Sequence, residues 1–125
     1  MKKILVIAAH PDDELLGCGG TIAKHVKNND AVYVLICCEG ESVRYGQKGF
    51  QYNYTERAAG ILNIKNVFRL NRPDQKLDEI PLIELIQQIE RVVENVKPNI
   101  IYTHYHGDSN QDHRIVFDAT IVAVR

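Results

Sequence analysis

Apolar and polar positions alternate in blocks along the 125 residues. Two short unbroken apolar runs, residues 4–9 and 31–37, have the length and composition of strands buried on both faces. Residues 66–70 and the run Ile100-Ile101-Tyr102-Thr103 read as two more strands. Helical signals fill the spaces between them. Residues 14–27 open on acidic side chains, which suit a helix N-terminus, and end at the turn Asn28-Asn29-Asp30. Residues 55–62 form a short helix whose packing face is Ala58, Ala59 and Leu62. Ile83, Ile86, Ile89, Val92, Val93 and Val96 recur every three or four positions, the spacing of a packed amphipathic helix. Pro81 suits its first turn and Pro98-Asn99 breaks it. Residues 113–125 are apolar enough for a last helix. Two stretches show no period: the polar segment 39–52, with Gly40, Gly46 and Gly49, and the loop 104–112.

Strands alternating with helices predict an α/β fold: a Rossmann-like, doubly wound, mostly parallel sheet with helices on both faces. Right-handed crossovers make 3-2-1-4 the expected strand order. In that order strands one and four are neighbours, and the chain reverses direction between them. Ligands bind in the crevice outside the carboxyl ends of such a pair. The loops leaving those ends, 10–14 and 104–113, are the most polar in the chain.

Composition narrows the function classes. The chain is 45% hydrophobic and 25% charged, with a formal net charge of −1. It has no basic tract, so nothing electrostatic argues for nucleic acid or an anionic membrane surface. No apolar stretch approaches the roughly 20 residues of a membrane span. Met1-Lys2-Lys3 resembles a signal sequence only superficially, since the apolar run behind it is short and meets His10-Pro11-Asp12-Asp13. The three cysteines, Cys18, Cys37 and Cys38, are too few and too oddly spaced for a disulfide framework. Cys37 and Cys38 read as small core residues at a strand end. A reducing cytoplasm is the default expectation, and a homo-oligomer remains open. The length suits a single domain, 1–125.

The chemistry concentrates in His10-Pro11-Asp12-Asp13-Glu14, at the end of the first strand. A histidine and three carboxylates there need pairing or a metal. His10 and Asp13 are good zinc ligands, and His113 is the best third ligand. Two ligands from one loop and one from another leave a fourth position open, as catalytic zinc requires. Asp12 is either a general base or an N-cap. Asp112 either orients a ligating histidine or caps the last helix. Asn110 polarises a substrate carbonyl or caps the same helix. His104 and His106 lie two apart and are candidates to line the substrate pocket. Gly17-Cys18-Gly19-Gly20 lacks the spacing of a nucleotide fingerprint and reads as close helix packing. A metal phosphoesterase would use a similar carboxylate-rich crevice, but basic residues for phosphate are scarce nearby.

The pair His10-Pro11-Asp12-Asp13-Glu14 and Gly107-Asp108-Ser109-Asn110-Gln111-Asp112-His113-Arg114 resembles the LmbE-like (PIG-L) N-deacetylases. These act on N-acetylglucosamine-containing substrates. Pro73-Asp74 and Lys97-Pro98-Asn99-Ile100-Ile101 are similar to the family as well. The resemblance implies that His10, Asp13 and His113 bind zinc, that Asp12 is the general base, and that Asp112 supports the acid–base machinery. It implies Asp74 as a contact to sugar hydroxyls and an amino-sugar small molecule as substrate. Two positions depart from the family pattern. Asn110 stands where many members have a histidine, so either Asp12 also serves as the acid or His104 or His106 substitutes. Asn53 stands where many have a sugar-binding arginine, which Arg44 or Arg57 would have to replace. Family members also continue further, so the expectation is a domain lacking their C-terminal portion, active or a metal-binding relative without activity.

Overall fold

A computed structural model of the chain describes residues 1–40 and 50–125, with side chains outside 50–53. Four strands, β1 (Lys3–Ala8), β2 (Ala31–Cys38), β3 (Asn66–Arg72) and β4 (Ile100–Tyr102), form one parallel sheet in the order β3-β2-β1-β4. This is the strand order expected from the sequence. The helices are α1 (Asp13–Lys27), α2 (Phe50–Ile61), α3 (Leu82–Val96) and α4 (Gln111–Ala123).

The period-2 pattern of the strands divides the core into two layers. Leu5, Ile7 and Leu35 face α3 and α4, where Leu85, Ile86, Ile89, Val92, Val96, Val116 and Ala119 are buried. Ile4, Val6, Val32, Val34 and Ile36 face the other way, toward Ile22 of α1 and toward Leu62 and Ile64 beyond α2. With both faces covered, the inner strands β1 and β2 are almost wholly apolar, whereas β3 at the sheet edge carries Asn66, Arg69, Asn71 and Arg72.

The observed elements depart from the sequence expectations in instructive places. α2 begins at Phe50, five residues before the predicted start, because its first turn lies in the polar, aperiodic segment. The rest of that segment, including Arg44, lies outside the described residues, as does the side chain of Asn53. Arg57 lies exposed on α2. A 3-10 turn at Leu77–Glu79 has no periodic signal; a single apolar residue, the buried Leu77, anchors it. α4 starts at Gln111, ahead of the predicted His113, because Asn110 accepts hydrogen bonds from the backbone N–H of Asp112 (2.9 Å) and of His113 (3.4 Å). That is N-capping.

The register between β2 and β3 shifts between Ile36, paired with Arg69, and Cys38, paired with Arg72. The extra residue on β3 is a bulge, which re-aims side chains. Cys37 and Cys38 both end up in the layer beneath α3 and α4. Cys37 is the buried core residue expected of it, and burial pushes its thiol pKa up. Cys38 reaches a polar partner described below.

Ile89 is fully buried on the sheet-facing side of α3. Ile89→Ala should cost about 2–5 kcal/mol, read as a lower urea midpoint with an unchanged slope.

Candidate metal centre and active site

β1 and β4 deliver their loops to one crevice, and α4 presents its first turn to the same place. His10 Nδ1, Asp13 Oδ2 and His113 Nε2 form a small triangle there. Its edges are 3.3 Å between the two histidines, 3.3 Å from His10 to Asp13, and 3.1 Å from His113 to Asp13. Ligand atoms around a tetrahedral zinc, with bonds of 2.0–2.2 Å, lie about 3.3–3.6 Å apart. The donor set and its dimensions therefore fit a divalent metal ion with three protein ligands.

Each histidine is oriented from behind. His10 Nε2 lies 2.8 Å from Asp112 Oδ2. His113 Nδ1 lies 3.0 Å from Asp108 Oδ2. A proton on each of those nitrogens leaves the opposite nitrogen of each ring facing the triangle, the usual arrangement behind a metal-bound imidazole. Asp13 is held by the backbone N–H of His10 at 2.9 Å.

Asp112 is fully buried. Besides His10 it accepts the backbone N–H of Gln75 (2.8 Å) and of Leu77 (3.2 Å) and the Cys38 thiol (3.7 Å). Burial alone would raise its pKa; the His10 and backbone hydrogen bonds outweigh burial and hold it below the ordinary carboxylate range. Asp112 thus lies behind His10, and the cap of α4 falls to Asn110. Asp13 is lowered in the same way: burial opposes its charge, and His10 and His113 overcome it. Around His10 burial disfavours the cation, yet hydrogen bonds to Asp112 and Asp13 raise its pKa to about 12 in the metal-free protein.

Asp12 stands at the N-terminus of α1 with φ 83° and ψ −21°, in left-handed backbone. Its carbonyl accepts the N–H groups of Leu15 (3.1 Å) and Leu16 (2.9 Å), but its side chain makes no capping hydrogen bond. The carboxylate is thus kept out of the helix hydrogen bonding. Glu14, one residue past Asp13, is buried, and burial above all pushes its pKa up to about 7.

His104 stacks on His113, with ring centroids 3.9 Å apart, and its Nε2 accepts the Ala9 N–H at 2.8 Å. Burial and the neighbouring His113 push its pKa down to about 4. His106 is exposed and packs against Tyr105 and Phe117, away from the triangle. Asp74, expected at sugar hydroxyls, is nearly buried and places Oδ1 3.0 Å from His10 Nε2.

Sequence reasoning missed three contributors. Asp108 sits five residues before His113, a spacing with no helical meaning across a turn. Gln75 binds Asp112 through its backbone, and its side-chain nitrogen lies 3.3 Å from His10 Nε2. Its φ of 59° makes the turn that delivers that N–H. Cys38 reaches Asp112 at the place where the register between β2 and β3 shifts. The acidic residue just ahead of the His113 motif was the one readable signal among these.

Two outcomes follow. Asp108→Asn and Asp112→Asn should each weaken metal binding about 10–100-fold, measured by competition with a chromogenic chelator. The metal-free site holds a proton on His10 throughout the pH range 6–9, and a metal ion must displace it. Binding should therefore release about one proton and strengthen about tenfold per pH unit as pH rises. Titration calorimetry in buffers of different ionisation enthalpy checks this; zero release would contradict the His10 assignment.

Comparison with known proteins adds the family. The family model described as PIG-L, GlcNAc-PI de-N-acetylase, matches residues 5–124. The chain is 30% identical over 131 residues to the uncharacterized deacetylase YaiS of Escherichia coli, a match that covers 99% of this chain and 69% of that protein. It is 30% identical over 126 residues to the diacetylchitobiose deacetylase of Thermococcus kodakarensis, covering 91% of this chain and 46% of that enzyme. A conserved protein of Thermus thermophilus, TT1542, superposes with a TM-score of 0.87 at 27% identity, over 99% of this chain and 56% of that one. The N,N'-diacetylchitobiose deacetylase of Pyrococcus horikoshii gives a TM-score of 0.85 at 25% identity, over 98% and 49%. The chain thus spans between 46% and 69% of the length of these relatives. Its sequence match, its sheet and the His-Asp-His triangle in its crevice agree: the chain belongs to the PIG-L (LmbE-like) deacetylase family.

Proposed function

We propose that this protein is a zinc-dependent N-deacetylase that removes acetyl from an N-acetylglucosamine unit of a glycolipid, conjugate or oligosaccharide. The observation that carries the reading is the triangle of His10, Asp13 and His113, each histidine backed by a carboxylate, in a chain of a deacetylase family. When bound there, zinc supplies Lewis acidity toward the acetyl carbonyl and makes a neighbouring water more acidic.

The chain's own residues do the rest. Asp12 takes a proton from the water as its oxygen attacks the acetyl carbon. Asn110 donates a hydrogen bond to the carbonyl oxygen as charge builds there; it has no proton to transfer. The C–N bond then breaks, acetate leaves, and Asp12 returns its proton to the amine nitrogen. His104 is poorly placed to deliver that proton, because its Nε2 is engaged as an acceptor of the Ala9 N–H. Asp74 serves His10 rather than the sugar, given the 3.0 Å approach of its Oδ1 to Nε2. His106, exposed beyond the triangle, is a rim contact for the substrate.

The test is release of free amine from a panel of N-acetylglucosamine conjugates by zinc-loaded protein. A chelator should abolish release and added zinc restore it. Asp12→Asn should lower kcat about 10²–10⁴-fold with zinc affinity unchanged. Stoichiometric zinc with no amine from any conjugate would sink the deacetylase reading. Full activity in Asp12→Asn would sink the assignment of the base.

A further inference from the structure

Glu14 has no part in the chemistry above, yet its burial demands an explanation. It is only 2% exposed, and its Oε2 has no hydrogen-bond partner among the described residues. An unsatisfied buried polar atom costs about 1–3 kcal/mol, and few are tolerated in native folds. Glu14 borders a cavity of about 60 Å³ beneath the metal centre, shared with Asp13, Cys18, Tyr102, Thr103 and His104. A single buried water needs roughly 10–15 Å³ of such space and two to four polar partners.

We propose that Glu14 is a positioning residue that holds a buried water against His104, fixing the ring that supports the metal ligand His113. The hydrogen-bond inventory around the cavity closes around one water. His104 Nε2 accepts the Ala9 N–H at 2.8 Å, so its ring proton resides on Nδ1 and is there to be given to the water. The hydroxyl proton of Thr103 goes to the Ile7 carbonyl at 3.0 Å, leaving that oxygen able to accept. The water then takes one proton from His104 and gives its own two to Glu14 Oε2 and Thr103 Oγ1. His104 lies face to face with His113, at 3.9 Å between centroids and 18° between planes, and 3.6 Å from Asp13 Oδ2. A His104 ring free to turn would disturb two of the three ligand side chains. Glu14 thus acts on the site from below, through a solvent molecule and an imidazole, without touching substrate.

This inference goes beyond the deacetylase reading and is tested without it. In ¹⁵N-labelled intact protein, the His104 Nδ1 proton should give a slowly exchanging NMR signal and the ring should be the Nδ1–H tautomer. Glu14→Leu should lose that protection and weaken zinc binding about 3–10-fold, with a thermal midpoint at least as high as the parent's. Glu14→Gln, which keeps a polar partner for the water, should restore both. Thr103→Val removes another partner and should also speed exchange, which keeps the idea testable if Glu14→Leu does not fold. Unchanged His104 exchange and unchanged zinc affinity in Glu14→Leu, or in Thr103→Val if that is the variant that folds, would overturn the proposal and leave Glu14 a bystander.

Discussion

The carboxylate of Asp112 is the interaction on which the rest of the structure depends. It is buried, and it stays charged only because donors from three parts of the chain converge on it. The His10 ring comes from the end of β1, and the Cys38 thiol from the end of β2. The backbone N–H groups of Gln75 and Leu77 come from the segment after β3, and Asp112 itself sits in the first turn of α4. A buried charge without these partners would be strongly destabilising. The requirement works in both directions. The fold must close correctly to satisfy Asp112, and a satisfied Asp112 fixes the ring that offers a nitrogen to a metal. Stability and ligand geometry are therefore set by the same hydrogen bonds.

This coupling also explains why the loop after β3 belongs to the site although it supplies no metal ligand. Gln75 adopts left-handed backbone, with φ 59°, and so points its N–H inward. Its carbonyl is tied by the Gln111 side chain at 2.9 Å. The 3-10 turn that follows is anchored by buried Leu77. The crevice between β1 and β4 thus acquires a third wall, pinned to the first turn of α4.

Much of this was legible in the sequence. Short unbroken apolar runs and a period near 3.6 fix where strands and helices lie, and right-handed crossovers order the strands. The order places loops 10–14 and 104–113 together, and with them His10, Asp13 and His113. What was not legible depends on backbone direction rather than side-chain type. Asn110 and Asp112 are both plausible caps by composition; only the geometry of the α4 start decides that Asn110 caps and Asp112 turns inward. Cys38 reads as core from its apolar run, yet its thiol meets a buried carboxylate from α4. Asp108 acts across a turn, where no periodicity reports contacts. Gln75 contributes chiefly a main-chain N–H, to which any residue tolerating that backbone would be nearly equivalent.

The left-handed backbone at Asp12 carries an evolutionary consequence. Among side chains, only glycine, asparagine and aspartate sit readily in that conformation. The neighbours of Asp12 in sequence space that suit this backbone are therefore few, and asparagine and glycine are each a single nucleotide change away. Asparagine there would keep the turn and the start of α1, while removing the carboxylate. On the proposed mechanism, such a step would leave the fold in place and take away the base. The strained backbone at one position thus narrows the substitutions that this turn accepts.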